Sequence, residues 1–368
     1  MLNSKTICVV IPAYNEENQI GMVIETMPDF VDRLIIVNDC STDNTLEVIK
    51  SYFTQRENET NIEIREETTY KQRGKYNTAD KILWEQNQNE IKKFIPSEIL
   101  NRNPAKERII LINHHENGGV GAAIARGYKW SKDNNIDCTA VMAGDGQMDP
   151  DELYSICYPI IFEGIDYVKG NRLLHASAFQ VIPRTRFFGN SILSILTKIA
   201  SGYWHVSDTQ TGFTAISKVA LNSINLSKIY PTYGMPNDLL VKLNIAFCTI
   251  KEITIKPVYN IGEKSKLKVF KIVLPISFLL FKSFFVRLWI KYLFKDFHPL
   301  FLLYHFAFVL LIASVPFLLS IIVHIVKIGS ITPQQNIIFF VFFTIMGLQS
   351  LFFAMWMDIQ ENERLYKG

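Results

Sequence analysis

The stretch VMAGDGQMDP at residues 141–150 follows an apolar run and sets Asp145, Gln147 and Asp149 around Gly144 and Gly146. A carboxylate and a side-chain amide one residue apart in a glycine-loosened turn can reach a common point. Hard divalent cations accept such oxygens, and magnesium or manganese at a nucleotide takes much of its coordination from the phosphates. One strong protein carboxylate then suffices. Asp149 has a different explanation. In D-P-D-E it is the expected N-cap, with Pro150 at the first helical position and Glu152 reaching back as in a capping box. Asp145 and Gln147 have no such role and are the candidate metal ligands.

A second acid, Asp39, also ends an apolar run. Ser41 or Thr42 can cap the helix that follows, leaving Asp39 for a nucleotide base or ribose, or for an Asx turn. GGVGAAIARG from Gly118 fails the G-x-G-x-x-G spacing, so its glycines are read as a tight turn and close helix packing. The chain carries no P-loop, HExxH or nucleophile-elbow pattern.

The elements that must position these residues alternate. A first strand spans 7–11, followed by a helix from Asn15, the strand LIIVND, a helix from Ser41, the strand RIILIN, a helix from Gly119 and the strand TAVMAGD. That order predicts an α/β, mostly parallel sheet with helices on both faces and ligands beyond the carboxyl ends of the strands. The polar clusters Asn15-Glu16, Asn38-Asp39, 113–117 and Asp145-Gln147 all fall at those ends. Residues 66–106, rich in Asn, Lys, Glu and Gln, read as a surface insertion without chemistry.

The 368 residues carry a formal net charge of +3, too small to suggest nucleic-acid binding as a whole-molecule property. Cys8, Cys40, Cys138, Cys157 and Cys248 show no metal-like pairing and are read as reduced, mostly core thiols. The apolar run at the N-terminus is too short for a signal peptide.

From about Val273 the composition turns apolar. Two segments, about 300–326 and 337–357, are long enough to cross a bilayer, which takes roughly 20 helical residues. Lys264, Lys266, Lys268 and Lys271 precede the pair and Arg364 and Lys367 follow it, so both flanks are expected on the cytoplasmic side. Between the soluble part and the first span, Arg287, Lys291 and Lys295 recur every four residues among Leu, Phe and Trp. This is the pattern of an amphipathic helix lying in the membrane interface. The expected organisation is a cytosolic domain over 1–268, an interfacial segment over 269–298, two transmembrane helices over 299–358 and a cytosolic tail over 359–368.

VVIPAYNEE, IIVNDCSTDNT, HENGGVGAAIARG, the Asp145-Gln147 turn, KGNRL, DTQTGF and YNIGEKSKLK occur in the order found in family 2 glycosyltransferases of the GT-A fold. Among these the chain resembles the polyprenyl-phosphate sugar transferases, and the resemblance covers about 7–268 apart from the insertion. It implies a nucleotide cradle of Pro12, Tyr14, Glu16, Asp39 and Asp145, with a Mg2+ or Mn2+ site at Asp145 and Gln147. Arg172 and Arg186 would supply cations for the diphosphate. Asp208, and in some members an acid such as Asp238, would stand near the reacting centre. Ser265 and Lys266 would meet the lipid phosphate. Where the family commonly has D-x-D, this chain has Ala143 in place of the first acid.

The expected activity is an inverting transfer from a nucleotide-sugar donor to a polyprenyl phosphate such as undecaprenyl or dolichyl phosphate, at the cytoplasmic membrane. UDP-glucose is favoured, with GDP-mannose and UDP-N-acetylglucosamine as alternatives; a homo-oligomer is left open. Three rivals remain: another cell-surface glycan acceptor, a processive synthase, whose Q-x-x-R-W element the chain lacks, and a non-catalytic nucleotide-sugar-binding scaffold.

Overall fold

The computed structural model describes residues 1–53, 74–259, 269–326 and 333–368, with backbone alone at 75, 184–188 and 269–272. Eight strands form one mixed sheet: β1 (Ile7–Ala13), β2 (Arg33–Asn38), β3 (Ser97–Ile99), β4 (Ile109–His114), β5 (Cys138–Val141), β6 (Tyr167–Asn171), β7 (Thr214–Ser217) and β8 (Ile250–Thr254). Their order is β3-β4-β2-β1-β5-β7-β6-β8. The pairs β4-β2, β2-β1, β1-β5 and β6-β8 are parallel, while β3 and β7 run antiparallel to their neighbours. The expected mostly parallel sheet is present.

Helices α1 (Ile20–Glu25), α2 (Thr45–Ser51), α3 (Thr78–Glu90), α4 (Val120–Asp133), α5 (Leu153–Phe162), α6 (Ala178–Val181), α7 (Arg184–Ser201), α8 (Lys218–Ser223) and α9 (Met235–Ile245) connect or cover the strands. The period of two along a strand explains the two-sided core. Ile7, Val9 and Ile11 of β1 join Ile20, Ile49, Leu153 and Ile156 on one face. Cys8 and Val10 join Ile124, Tyr128, Leu221, Leu239 and Leu243 on the other. Each such aliphatic side chain contributes about 1.5–3 kcal/mol by leaving water.

Two helices begin later than their sequence signals suggest. Asn15 (φ 57°) and Cys40 (φ 58°) adopt the left-handed conformation just past β1 and β2, so the chain turns before it can coil. These loops also brace each other: Asn15 N–H donates to Ser41 Oγ (3.0 Å) and Thr42 N–H to Asn15 Oδ1 (2.8 Å). The described part of the 66–106 region is more than a surface appendage. It supplies edge strand β3, and α3 docks on α4 through Asn87 Nδ2 to Asp133 Oδ1 (2.9 Å) and Lys132 to Glu90 (3.3 Å). The five cysteines are unbonded thiols and only Cys40 is not buried.

Beyond the sheet lie α10 (Val269–Trp289), a π-helical turn (Ile290–Lys295), α11 (Pro299–Val326) and α12 (Gln334–Glu363). Three helices, rather than the two read from the sequence, are long and apolar enough to cross a membrane: Val273–Lys295, Pro299–Val326 and Gln334–Glu363. Small residues let α11 and α12 approach closely, as membrane helices require. Gly347, Ser350 and Ala354 of α12 are buried, and a Cβ on Gly347 would lie 2.9 Å from the Leu311 side chain.

The cationic stripe of α10 does not face lipid headgroups along its length. Arg287 and Lys291 are fully buried, whereas Lys295 is exposed and donates to the Ile245 carbonyl (2.9 Å). Arg287 forms a two-pronged pair with Asp358 of α12 (2.8 Å for each prong) and donates to the carbonyls of Ala200 and Ile199. Lys291 donates to Asn244 Oδ1 (2.8 Å) and Asn362 Oδ1 (2.6 Å). The exposed face of α10 is instead aromatic, with Phe278, Phe281 and Trp289. Past α12 the chain returns to the sheet: Ile250 N–H donates to Leu365 O (2.7 Å) and Lys367 N–H to Ile250 O (2.9 Å), extending the sheet past β8.

Candidate active site

The carboxyl ends of β1, β2 and β4 form the first half of the site. Asn38 Nδ2 donates to Asn113 Oδ1 (2.7 Å), tying β2 to β4. Asp39 is not left open in the way the sequence suggests. Its Oδ1 lies 2.8 Å from His114 Nδ1 and accepts from Gly118 N–H (2.9 Å), while Oδ2 accepts from Gly119 N–H (2.7 Å). Burial pushes this carboxyl up, but the His114, Gly118 and Gly119 hydrogen bonds outweigh it and hold the group below the usual carboxylate range. Asp39 therefore shapes the 114–119 loop. The glycines act as packing residues, as expected: Gly119 has φ 88°, and a Cβ on Gly121 would lie 2.2 Å from Tyr230 O. A first-turn amide of α4, Ala122 N–H, already donates to Pro231 O (3.0 Å). Pro12, in β1, accepts from Gly144 N–H (3.3 Å), so the candidate cradle and the Asp145 turn meet there, and Tyr14 is exposed beside it.

In the Asp145 turn, Asp145 Oδ1 accepts from Gln147 N–H (3.0 Å) and Gly146 takes φ 75°. Asp149 is the expected cap, accepting from Asp151 N–H (3.0 Å). Glu152 does not close a capping box. Its Oε1 accepts from Lys256 N–H (2.9 Å), and Asp149 pairs with Lys256 Nζ (2.9 Å). These bonds fasten the strand exit after β8 to the acidic turn. Ala143, Asp145, Gln147, Glu152, Arg172 and Thr211 are among the residues lining an open cleft.

Among the described residues no cluster of three or more His, Cys, Asp and Glu could enclose a metal ion. The donor set nevertheless fits an ion shared with phosphates. Asp145 supplies one anionic ligand and the Gln147 amide oxygen could supply a neutral one, while the buried Gln147 Nε2, which has no hydrogen-bond partner, is a donor suited to a phosphate oxygen.

The second half of the site is built on β6 and β8. Asp208, expected near the reacting centre, is fully buried and is not itself among the residues lining the cleft; it meets the cleft through Arg172. Its Oδ2 accepts from Arg172 Nε (2.9 Å) and Arg172 N–H (3.1 Å), and its Oδ1 from Arg172 Nη2 (3.1 Å). Burial raises the Asp208 carboxyl, yet the guanidinium outweighs it and keeps the acid ionised at neutral pH. Glu252 of β8 accepts from the backbone N–H groups of Ser207 (3.0 Å) and Asp208 (3.1 Å) and from Asn171 Nδ2 (3.0 Å), so the acid-bearing loop is gripped from the sheet. Lys169 and Glu252 were not singled out in the sequence. The signal available was a lysine within the apolar strand that ends in KGNR, where burial is expensive.

Other expected residues lie elsewhere. Asp238 sits in the first turn of α9, where it accepts from Tyr230 N–H (2.8 Å) and pairs with Lys242. It braces that turn and is not among the residues that line the cleft. Glu16 N–H donates to Thr45 Oγ1 (2.8 Å) at the start of α2. Arg186 belongs to α7, with its side chain outside the described residues, and Ser265 and Lys266 also lie outside them.

A mixed sheet with acid and amide groups at its strand ends, and a guanidinium at the cleft backed by a buried carboxylate, is the arrangement expected of a glycosyltransferase of the GT-A type. The chain belongs to glycosyl transferase family 2, whose model matches residues 8–79 and 92–224 and so skips most of α3. It is similar to the UDP-N-acetylglucosamine–dolichyl-phosphate N-acetylglucosaminyltransferase of Methanococcus voltae, with 30% identity over 257 residues, or 70% of this chain and 87% of that one. An uncharacterized protein of Methanocaldococcus jannaschii is 23% identical over 260 residues, 70% of this chain and 84% of its own length. Similar solved structures include glucosyl-3-phosphoglycerate synthase from Mycobacterium tuberculosis with uridine diphosphate, at 18% identity and TM-score 0.47, covering 77% of this chain and 80% of that one. The same enzyme with Mn2+, uridine diphosphate and glucosyl-3-phosphoglycerate has 17% identity and TM-score 0.47, with the same coverage of 77% and 80%.

Proposed function

We propose that the protein transfers a sugar from a nucleotide diphosphate to a polyprenyl phosphate at the membrane surface, with inversion. The observation that carries this reading is the Asp208-Arg172 pair at the cleft, whose loop is gripped by Glu252 of β8, the strand that precedes α10 and the apolar helices in the chain. The lipid-phosphate acceptor named for the Methanococcus voltae relative supports it. That relative also makes UDP-N-acetylglucosamine the first donor to test, ahead of UDP-glucose and GDP-mannose.

In the proposed reaction a lipid phosphate oxygen bonds to the anomeric carbon as the bond from that carbon to the diphosphate oxygen breaks. The electron pair leaves on the diphosphate. Phosphate monoesters have a second pKa of about 6, so the nucleophile is already ionised and needs no strong base. Asp208, buried behind the cleft wall, orients Arg172, and Arg172, which lines the cleft, turns part of its charge to the leaving diphosphate. Asp145 and Gln147 would hold Mg2+ or Mn2+, which supplies further charge compensation when bound. Pro12, Tyr14 and Glu16 cradle the base and ribose, with Asp39 holding the adjoining loop. Ser265, Lys266 and Arg186 meet the phosphates. The aromatic face of α10 lies in the interface, and α11 and α12 cross the bilayer, with the catalytic domain on the cytosolic side.

The test is a transfer assay with purified protein in detergent, dolichyl or undecaprenyl phosphate, Mn2+ or Mg2+, and labelled UDP- and GDP-sugars. The expected result is a lipid-extractable product from one donor, abolished by EDTA and restored by the metal. Nucleotide binding without product from any donor on either lipid would sink the reading.

A further inference from the structure

Lys169 of β6 is fully buried, in register with Glu252 of β8 and Thr214 of β7. Its Nζ donates to the Thr211 carbonyl (2.5 Å), in the loop that carries Asp208. An ammonium taken out of water without compensation costs several kcal/mol, so its position needs an explanation. The charged groups around it are Asp208 and Glu252, which favour its charged form, and Arg172, which opposes it; Thr214, facing it from β7, carries no charge. The two cations relate to Asp208 differently: Arg172 pairs with it directly at 2.9 Å, whereas Lys169 bonds the Thr211 carbonyl of the same loop and acts on the acid through space. The Arg172 side chain is 22% exposed and lines the cleft, whereas Lys169 is 0% exposed.

We propose that Lys169 is a positioning residue: it is the second counter-ion that keeps Asp208 ionised and in place when Arg172 turns to the donor's diphosphate. This rests on the transfer reading, in which Arg172 is shared between the acid and the diphosphate. Without a cation behind it, Asp208 would be left as an unpaired buried charge, and it would either hold Arg172 back or take up a proton. With Lys169 in place the acid keeps one counter-ion throughout, and the Thr211 bond fixes the loop that carries it.

Burial, its largest influence, pulls the Lys169 ammonium down to about 8, against the pull of Asp208 and Glu252. Its charge is thus present at neutral pH and lost as pH rises through about 8. The experiment measures binding of UDP and GDP by titration calorimetry, and transfer rate, against pH for the wild-type protein, Lys169→Arg, Lys169→Met, and Lys169→Met in an Asp208→Asn background.

Wild-type nucleotide affinity and kcat are expected to fall through about pH 8, and Lys169→Arg to move that limb to higher pH. Lys169→Met should abolish the limb and lower kcat about tenfold or more, as the loss of a supporting charge does elsewhere. It should have little effect once Asp208 is Asn, because the pair acts as a unit. If Lys169→Met fails to fold, the shift in Lys169→Arg decides. The proposal is overturned if the variants keep the wild-type pH dependence in both binding and turnover, or if no nucleotide diphosphate binding depends on Lys169. Lys169-dependent nucleotide binding without transfer to either lipid upholds the proposal and overturns the acceptor reading alone.

Discussion

At the scale of single residues, the acids at the strand ends divide into those that hold the scaffold and those that face the cleft. Asp39 accepts three hydrogen bonds from His114, Gly118 and Gly119, so Asp39→Ala leaves three polar groups without their acceptor. We expect a loss of roughly 2–4 kcal/mol, read from the shift in denaturant midpoint. Because the folded-state pKa of Asp39 is depressed, its contribution is present above the unfolded value of about 3.9 and is lost as pH falls through the folded one. Asp39→Asn should accordingly flatten part of the acid limb of stability. Asp145→Asn should behave differently, leaving circular dichroism and melting unchanged while lowering transfer about a hundredfold or more. Retained turnover in that variant would remove Asp145 from the site. Sequence reasoning located Asp39 correctly at a strand end but not its partners, because the donors lie on a different strand-end loop. A chain read residue by residue carries no sign of which loops will meet.

At the scale of elements, strands and helices were legible wherever periodicity governs. Alternating apolar residues in β1 feed two opposite core clusters, and the D-P-D-E cap appears where expected. The late starts of α1 and α2 were not legible, because they depend on left-handed backbone at Asn15 and Cys40, a conformation that Asn tolerates but does not dictate and that Cys gives no sign of. The glycines of α4 are a sharper case, since their spacing invites a phosphate loop and their surroundings exclude extra volume. Gly121→Val would drive a Cβ to within 2.2 Å of the Tyr230 carbonyl oxygen, so backbone must shift. A loss of about 1–3 kcal/mol is expected, visible as a lowered melting temperature. By contrast, Gly164→Ala, which meets nothing within 4 Å although its φ is 71°, should cost only the local backbone strain, about 1–2 kcal/mol.

At the scale of the whole molecule, the membrane-proximal helices are joined to the catalytic domain by buried polar bonds as well as apolar packing. The stripe formed by Arg287 and Lys291 reads in isolation as a headgroup-facing surface. Its partner Asp358 lies at the far end of the apolar hairpin, so nothing local reveals that the stripe faces protein. Arg287→Met alone should cost about 3–5 kcal/mol by leaving Asp358 buried and unpaired, and Arg287→Met with Asp358→Leu should recover much of it. Thermal unfolding in detergent measures both. If the single and double variants melt together, the pair is not coupled.

The strand-like pairing of residues 365–367 with Ile250 has a consequence for how the protein is made. Strand β8 leaves the ribosome before α11 and α12, so the Ile250 end of its outer edge gains this partner only after both apolar helices have been made and the chain has come back. A bare strand edge is a template for pairing with other chains. On the proposed topology, a chain whose hairpin stalls would leave that end of the sheet edge open to its neighbours and to proteases. Quality control in the cell would then read failed membrane insertion through the sheet edge as well as through the exposed apolar helices.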